Sequence, residues 1–316
     1  MANKLLKKIY FDINYFIKSS AMLSQIKDNN YLTILNLHRV SPNKNLFYPA
    51  LEPKLFEELI KYLLKHFNII TFNQIEEFKN SKKPNVILSF DDGFYDFLEY
   101  AVPIMRKYNV RANQNVIPEC IISGKPVWDV RLGDILNQLS FEKVNSIKFP
   151  NFDMKLNRSN KSQYGLALTA YLKNIKKEQR ENFFNVFEDF TNTEGVKLTK
   201  MLNKQEIIEI AKLHEIGVHS FSHESMAIEG DEFFKNDFLK CKEYFDNELN
   251  LPLDLYAFPS GSYTQSQVNY LVESGIKHIL LVNENYSKYD NNVYDRFTFY
   301  GNSINEVKLR ALGWRR

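Results

Sequence analysis

The sequence predicts an α/β fold built on parallel strands. Short runs rich in branched and aromatic residues alternate along the chain with segments whose apolar residues recur at helical spacing. Hydrophobic residues make up 44% of the 316 residues and charged residues 25%, a globular balance that argues against disorder. A chain of this length buries a large core in one or two domains.

The alternation begins at Tyr31–Leu37, a compact β-rich run, and continues with VILSF at Val86–Phe90, which is typical of a buried strand. Pro53 suits the first turn of a helix over Pro53–Leu64, whereas Pro103 falls near the middle of a predicted helix at Phe97–Tyr108. The other predicted strands are Val110–Ile117, Gly217–Val218, Leu253–Phe258 and Ile279–Val282, and the other helices are Lys204–Leu213, Glu232–Glu248 and Gln265–Glu273. Residues 140–200, rich in Asn, Lys and Glu, are predicted to form helices joined by loops.

Charge and cysteine content narrow the class of protein. The 41 basic and 38 acidic side chains give 41 − 38 = +3, which is too even to indicate nucleic acid as the main partner. The two cysteines, Cys120 and Cys241, cannot form a disulfide framework, which permits a reducing compartment. No stretch of about 18 apolar residues occurs, so no membrane-spanning helix is expected.

The first 20 residues form an amphipathic segment with two interpretations. Charged residues interrupt every apolar run, so we expect no secretory signal peptide and predict a cytoplasmic protein. Apolar residues recur near a 3.6-residue period at Leu5, Leu6, Ile9, Ile13, Phe16 and Ile17. The segment is either a helix docked on the domain or a basic helix lying on the inner face of an anionic membrane. We assign residues 1–30 to this segment and 31–316 to the main domain, with its insertion at about 140–200.

Two adjacent carboxylates follow the predicted strand Val86–Phe90. In Asp91-Asp92-Gly93, one carboxylate can bind a cation while its neighbour stays free as a base, and Gly93 allows a tight turn. Because Asp-Gly pairs are common turn formers, the motif by itself is equally typical of a surface turn.

A pair of histidines follows the predicted strand Gly217–Val218. His219 and His223 are four residues apart, which would place both imidazoles on one face of a helical turn. Together with one carboxylate they would leave open positions on Zn²⁺, Fe²⁺ or a similar ion, as catalytic sites do. The alternative is a chance pair at a solvated helix end.

Two further segments also follow predicted strands. Phe258-Pro259-Ser260-Gly261-Ser262-Tyr263 reads as a turn whose backbone N–H groups could point into a site, or as a plain loop. His38 ends the first predicted strand, where a lone histidine is more often structural. In parallel α/β folds the carboxyl ends of the strands meet at one edge, so all these residues are candidates for one shared site.

These segments together resemble the polysaccharide deacetylase family, carbohydrate esterase family four. Ser89-Phe90-Asp91-Asp92-Gly93 is similar to its Thr/Ser-Phe-Asp-Asp-Gly motif, and His219-Ser220 through His223 is similar to its His-Ser/Thr-x-x-His motif. Tyr256 through Gly261 resembles the Phe-x-Tyr-Pro-x-Gly region of many bacterial members. The early His38-Arg39-Val40 resembles a circularly shifted subgroup, and Trp128-Asp129-x-Arg131-Leu132 resembles members with a helical insertion.

The resemblance implies a distorted (β/α) barrel of about seven strands and a metal-dependent carbohydrate N-deacetylase. It implies Asp92, His219 and His223 as metal ligands, Asp91 as the base, His38 as the acid and the Ser260 N–H as the oxyanion donor. Zn is the expected metal, with Fe, Co, Ni or Mn as alternatives. The chain departs from the pattern at Ser260, where an aromatic residue is frequent, and shows no clear arginine before the third motif to orient Asp91.

The expected substrate is an N-acetylated sugar, nucleotide-linked, lipid-linked or oligomeric, in the synthesis of surface polysaccharide or lipopolysaccharide. The candidate substrate-binding residues are Trp128, Asp129, Arg131, Phe258, Pro259 and Tyr263. The charged run Lys176–Arg180 is expected to be solvated, and the insertion to be either a lid or an external elaboration. Two alternatives stay open: a deformylase or other C–N amide hydrolase, and a glycan-binding barrel without turnover.

Overall fold

The computed structural model describes residues 2–43, 48–147, 149 and 152–315, with the side chains of all except 2–4 and 186–194. Strands β1 to β9 are, in chain order, Leu32–Leu37, Asn68–Ile70, Asn85–Phe90, Asn113–Val116, Glu215–Val218, Leu255–Ala257, His278–Leu280, Val293–Tyr294 and Phe297–Thr298. Helices α1 to α14 are Ala2–Asp28, Pro53–His66, Ile75–Phe78, Val102–Lys107, Pro118–Ser123, Trp128–Gln138, Phe141–Ser146, Lys161–Lys173, Lys177–Glu194, Lys204–Ala211, Met226–Glu229, Asp231–Tyr244, Gln265–Glu273 and Ile304–Ala311.

The strands form one sheet in the order β8-β7-β6-β5-β4-β3-β1-β9, with β2 paired to the first half of β3. Every pairing of these strands is parallel, and β1 and β3 align over their whole length, from Leu32 opposite Asn85 to Leu37 opposite Phe90. Only Asp295 and Arg296 separate β8 from β9, the two ends of the sheet. This confirms the predicted α/β class and the distorted (β/α) barrel.

The sequence patterns underestimate the number of strands. Strands β2, β8 and β9 contain only two or three residues each, which is too short for any hydrophobic period to be recognised. The longer strands β1 and β3 are buried along their whole length because helices and the barrel interior cover both faces.

Pro103 divides the segment that was predicted as one helix, Phe97–Tyr108. A wide helical turn spans Phe97–Ala101, and helix α4 then begins at Val102 with Pro103 in its first turn. Proline has no backbone N–H, and it is tolerated in the first turn of a helix because that N–H has no helical partner there.

The insertion has a hydrophobic core of its own, built by residues between Leu132 and Phe184. Tyr164 is buried in it, with its ring edge-on to Phe152 at 5.5 Å. The insertion therefore packs around a centre separate from the barrel core.

Helix α1 lies against α14 at the outside of the barrel. The Phe11 and Ile26 side chains are buried, and Asn305 donates a hydrogen bond to Asp12 at 2.9 Å. Among the described helices, none combines the length and apolar character needed to cross a bilayer.

His214 makes the stability of the fold sensitive to acid. Its ring is 7% exposed and its Nδ1 accepts a hydrogen bond from the Ala112 N–H at 3.2 Å. Burial, with the nearby charges of Arg111 and Arg106, lowers the pKa of His214 to about 4. In the unfolded chain the ring protonates near pH 6.5, so this stabilisation is complete above that pH and is lost as the pH falls towards 4.

We therefore expect His214 alone to lower the free energy of unfolding by about 2 kcal/mol between pH 7 and pH 5. Urea unfolding at the two pH values measures this loss. His214→Gln should reduce it by most of that amount, whereas His66→Gln, whose half-buried ring has a less strongly lowered pKa, should reduce it less. An equal pH dependence in the His214→Gln protein would contradict the assignment.

Candidate active site

The carboxyl ends of the central strands bring the predicted polar residues to one edge of the barrel. Asp91 and Asp92 follow β3, His219 follows β5, and β4 lies between these two strands. These three side chains and that of His223 are all buried, with exposures between 1% and 8%. Residues that are distant in sequence therefore share one desolvated site.

Asp91 is held by two neighbours that bind its carboxylate directly. Arg296 forms a two-point ion pair, with its Nη1 at 2.8 Å from Oδ1 and its Nη2 at 2.9 Å from Oδ2. The Asn115 side-chain amide, on β4, donates to Oδ1 at 2.7 Å. Burial by itself raises the pKa of Asp91, but the charge and hydrogen bonds of Arg296 oppose it, and the pKa is held well below its usual value. The carboxylate is therefore ionised at neutral pH.

Arg296 corrects the expectation that no arginine orients Asp91. Its side chain has no exposed surface and also donates from Nε to the Leu281 carbonyl at 3.2 Å, at the end of β7. It lies between β8 and β9, after the third motif, whereas the expected arginine would precede that motif. No local signal marks it, because the short sequence YDRF carries no recognisable period.

Asp92 faces both histidines of the pair. Its Oδ1 lies 3.6 Å from Nε2 of His219 and 3.4 Å from Nε2 of His223. No group in the described part of the chain donates a hydrogen bond to this oxygen. Its other oxygen, Oδ2, accepts a hydrogen bond from the Tyr48 hydroxyl at 2.6 Å. Burial raises the pKa of Asp92 to about 7, against the opposing effects of His219 and Tyr48.

The two imidazoles are oriented as neutral metal ligands. His219 Nδ1 lies 2.9 Å from the Ala257 carbonyl, so the ring donates its proton there and turns the lone pair of Nε2 towards Asp92. Burial lowers the pKa of His223 well below its ordinary value, which keeps that ring neutral. Neutral imidazole is the form that binds metal ions.

The loop from His219 to His223 is not the helical turn that their spacing suggested. Ser220 and His223 have left-handed backbone angles, with φ of 59° and 56°, and the Ser220 hydroxyl accepts the His223 N–H at 2.7 Å. Asp237 on α12 accepts the backbone N–H groups of Phe221 and Ser222 at 2.8 and 3.1 Å. A compact loop, held by these bonds, therefore brings the rings together where a helix was expected.

These three side chains fit a divalent metal ion. One ligand atom from each of Asp92, His219 and His223 lies within 4.8 Å of the others. Two ligand atoms bound tetrahedrally to one zinc ion lie about 3.3 Å apart. The distances from Asp92 Oδ1 to the two Nε2 atoms, 3.6 and 3.4 Å, are closer to this value than to the length of a hydrogen bond, about 2.9 Å. The orphaned Oδ1 of Asp92 is the atom that such an ion would satisfy.

His38 and Tyr48 lie beside this cluster. The His38 ring is edge-on to the Tyr48 ring, with 5.7 Å between ring centres. Burial lowers the pKa of His38, and the negative charge of Asp91 opposes that effect. Arg39, the next residue, donates to Asp96 at 2.7 Å and so fixes the end of β1. Tyr48 was not among the predicted site residues, because it lies in a segment without periodicity.

The third predicted segment has a mixed outcome. Ser260 is exposed in a tight turn, Pro259–Gly261, with a left-handed φ of 55°. Tyr263 is half-buried, with its hydroxyl 3.3 Å from the Asn283 side-chain amide. Phe258 and Pro259, predicted to contact substrate, are buried, and the Phe258 ring has no exposed surface. The Phe258 ring stacks on Phe234 at 5.7 Å, so its role as a substrate contact is corrected to core packing.

The predicted residues Trp128, Asp129 and Arg131 lie on α6, at the start of the insertion. Trp128 and Arg131 line a cavity of about 410 Å³ next to the loop of His223. Arg131 covers the Phe184 ring at 4.2 Å, and the charge of Asp129 acts on both His38 and Tyr48. Substrate binding by these residues stays a prediction.

Arg180 ties the insertion to the loop of the histidine pair. It forms an ion pair with Glu224, the residue after His223, and both side chains are only 3% exposed. The guanidinium also lies 4.5 Å from the centre of the Trp128 ring. The expectation that Lys176–Arg180 is a solvated charged run is therefore wrong for Arg180, because it points inwards from the first turn of α9.

Removing one partner of this buried pair should be costly. In Arg180→Leu, Glu224 stays buried without its cation, and we expect the free energy of unfolding to fall by about 3 kcal/mol. Urea unfolding measures the loss. The matched control is Lys176→Leu, which replaces an exposed side chain directly before α9. It should change stability by less than about 0.5 kcal/mol. Equal stability of the two variants would contradict the structural role of the pair.

Metal binding by the Asp92 cluster can be measured without substrate. We expect the chain to bind one Zn²⁺ ion, and His223→Ala to weaken that binding by more than about 100-fold, since it removes a ligand and not merely a supporting group. Isothermal titration calorimetry gives the affinity, and His66→Ala on α2 serves as a control. Unchanged affinity in His223→Ala would exclude the site.

Comparison with known proteins agrees with this arrangement. A sequence model of the family described as polysaccharide deacetylase matches residues 163–279, which include His219, His223 and Ser260 but neither Asp91 nor Arg296. No curated protein matches the sequence significantly.

Solved structures of several deacetylases share the fold. Deacetylase PplD from Streptococcus pyogenes, solved in complex with acetate, is 17% identical, with a TM-score of 0.59 over 89% of this chain and 98% of its own. IcaB from Ammonifex degensii is 16% identical, with a TM-score of 0.58 over 89% and 97%. A de-N-acetylase from Aggregatibacter actinomycetemcomitans is 15% identical, with a TM-score of 0.53 over 86% and 97%. The family model thus matches the part of the chain that holds the histidine pair, and these solved structures share the fold of most of the chain.

Proposed function

We propose that this protein is a metal-dependent hydrolase that removes an N-acetyl group from a sugar. The observation that carries the proposal is the separation of two adjacent carboxylates into different environments. Asp92 faces two neutral imidazoles, whereas Asp91 is bound by Arg296 and Asn115 and kept ionised. One carboxylate is thus available as a ligand and its neighbour as a base.

Asp92, His219 and His223 would hold the metal. Their two nitrogen atoms and one oxygen atom suit Zn²⁺ best and also suit Fe, Co, Ni or Mn. When bound, such an ion lowers the pKa of a coordinated water and polarises a carbonyl group. The remaining chemistry falls to the side chains that surround it.

Asp91 is proposed as the general base. Its Oδ2 lies 3.8 Å from Nε2 of His219, so the carboxylate borders the ligand cluster without belonging to it. The two-point ion pair with Arg296 fixes the plane of the carboxylate, which leaves it little freedom to turn away from a water beside the cluster. A base held in this way needs no reorganisation when the proton moves.

His38 is proposed as the general acid and the Ser260 N–H as the oxyanion donor. An amine leaves readily only after it is protonated, so an acid must complement the base. Burial lowers the pKa of His38. As the pH rises, the ring therefore loses its proton at a lower pH than an ordinary histidine does. The exposed, left-handed turn at Ser260 supports the second role, because the first N–H groups of such a short 3₁₀ turn have no partner within it.

The N-acetyl group as target is supported by the names of the structural neighbours, among them a deacetylase and a de-N-acetylase. We further propose that the sugar is carried by a nucleotide, a lipid or an oligosaccharide. We also propose that the reaction belongs to the synthesis of surface polysaccharide or lipopolysaccharide. Trp128, Asp129, Arg131 and Tyr263 are the proposed sugar contacts. A cytoplasmic location stays a prediction. A barrel that only binds glycans is less well supported, because such a protein has no need for an ionised carboxylate beside a ligand cluster.

The test is acetate release from nucleotide-linked, lipid-linked and oligomeric N-acetyl sugars by the zinc-loaded protein. We expect Asp91→Asn to keep its zinc and to lose activity by about 100-fold or more, because the amide cannot accept a proton. His38→Ala should lose activity similarly and lose the descending limb of the pH profile at higher pH.

The control is Asn43→Ala, an exposed substitution that should leave both zinc content and rate unchanged. Full activity of Asp91→Asn would refute the assigned base. Release of formate from N-formyl sugars, with no acetate from any N-acetyl sugar, would instead identify the protein as a deformylase.

A further inference from the structure

Helix α1 exposes a continuous row of large apolar side chains. We call this row the α1 apolar face; it consists of Leu5, Leu6, Ile9, Tyr10, Ile13, Phe16 and Ile17. Their exposures range from 41% for Tyr10 to 89% for Phe16. Successive members are one or three positions apart, which places them all on one side of a helix. Exposed apolar surface of this extent on one helix indicates a binding surface.

The domain itself does not cover this face. The opposite side of α1 already packs on the barrel through Phe11 and Ile26, which are buried, and through Tyr15 and Met22, which are partly buried. Lys7 pairs with Glu306 on α14 at 3.2 Å, and Lys18 lies 4.3 Å from the centre of the Trp314 ring. The orientation of α1 is therefore fixed, and the apolar face points away from the barrel.

The charge around this face is strongly positive. Residues 1–20 contain Lys4, Lys7, Lys8 and Lys18 against Asp12, which gives 4 − 1 = +3. The whole chain also has a net charge of +3, so the other residues are neutral in sum. At 100° per residue, Lys8 lies about 60° beyond one edge of the apolar face and is exposed, so its charged end can reach an anionic surface while the apolar side chains enter it.

The face also lies near the catalytic edge of the barrel. Helix α1 ends at Asp28 and the chain enters β1 at Leu32, so the start of α1 lies towards the end of β1 that bears His38. Tyr300 and Ile304, which follow β9, are 47% and 43% exposed. The Arg310 guanidinium lies 3.8 Å from the Tyr300 ring centre and 5.5 Å from that of Phe11, so the segment after β9 contacts the buried side of α1.

We propose that the α1 apolar face docks on a lipid bilayer that contains anionic headgroups. A second copy of the chain is a poorer occupant, because pairing would bring together two N-terminal segments that each carry a net charge of +3. A bilayer supplies what the face lacks: an apolar layer for the seven side chains and negative charge for the lysines. The inference stands apart from the chemistry of the active site and would place the catalytic edge close to sugars carried at the membrane surface.

The experiment is co-sedimentation of the full chain with vesicles of phosphatidylcholine, with and without phosphatidylglycerol. We expect binding to the vesicles with phosphatidylglycerol, weaker binding to the others, and loss of binding at high salt. The double variant Ile9→Ser/Phe16→Ser should bind at least about tenfold more weakly, because two exposed apolar side chains no longer enter the bilayer. Both residues are solvent-exposed, and circular dichroism verifies that the fold is kept.

The matched control is Leu213→Ser/Leu239→Ser, which removes two apolar side chains of 46% and 47% exposure elsewhere on the surface. This variant should bind vesicles as the parent does. Absence of binding to any vesicle, or equal binding by Ile9→Ser/Phe16→Ser and the parent, would overturn the proposal. A dimer in sedimentation velocity that Phe16→Ser dissociates would also overturn it and identify a second copy as the occupant. None of these results depends on acetate release, so the proposed activity is tested separately.

Discussion

Two neighbouring carboxylates buried at the end of one strand are the constraint around which this site is organised. Charge removed from water is costly unless partners compensate for it, and Asp91 and Asp92 are each only 1% exposed. Asp91 has an arginine and an amide as partners, whereas Asp92 has one hydroxyl and an oxygen atom that no hydrogen bond satisfies. The difference in partners gives two chemically identical side chains different roles.

Closure of the barrel and support of Asp91 depend on the same residue. Arg296 lies between β8 and β9, the two ends of the sheet, and binds both the Leu281 carbonyl and the Asp91 carboxylate. A guanidinium can do both because its donors point in several fixed directions. The geometry of the base therefore depends on how the barrel closes, although Asp91 and Arg296 are separated by most of the chain.

The surroundings of the cluster come from parts of the chain that look peripheral. The insertion has its own core, yet Arg180 reaches from it to Glu224 beside His223 and couples it to the ligand loop. At the N-terminal end of the described residues, one side of α1 packs on α14 and its other, apolar side is exposed. One of these elements thus adjoins the histidine loop, and the other lies on the outer surface of the barrel.

The sequence by itself determined the α/β class, most of the longer helices and strands, and the residues that gather at the site. It could do so because hydrophobic periods and the spacings within Asp91-Asp92 and His219–His223 are local properties of the chain. Three features were decided only by the tertiary structure: the role of Arg296, the hydroxyl of Tyr48 on Asp92 and the inward turn of Arg180. Each is a contact between distant segments, and the packing of strands and helices, not any local pattern, brings those segments together. The same packing buried Phe258 and made the histidine loop compact where spacing alone suggested a helix.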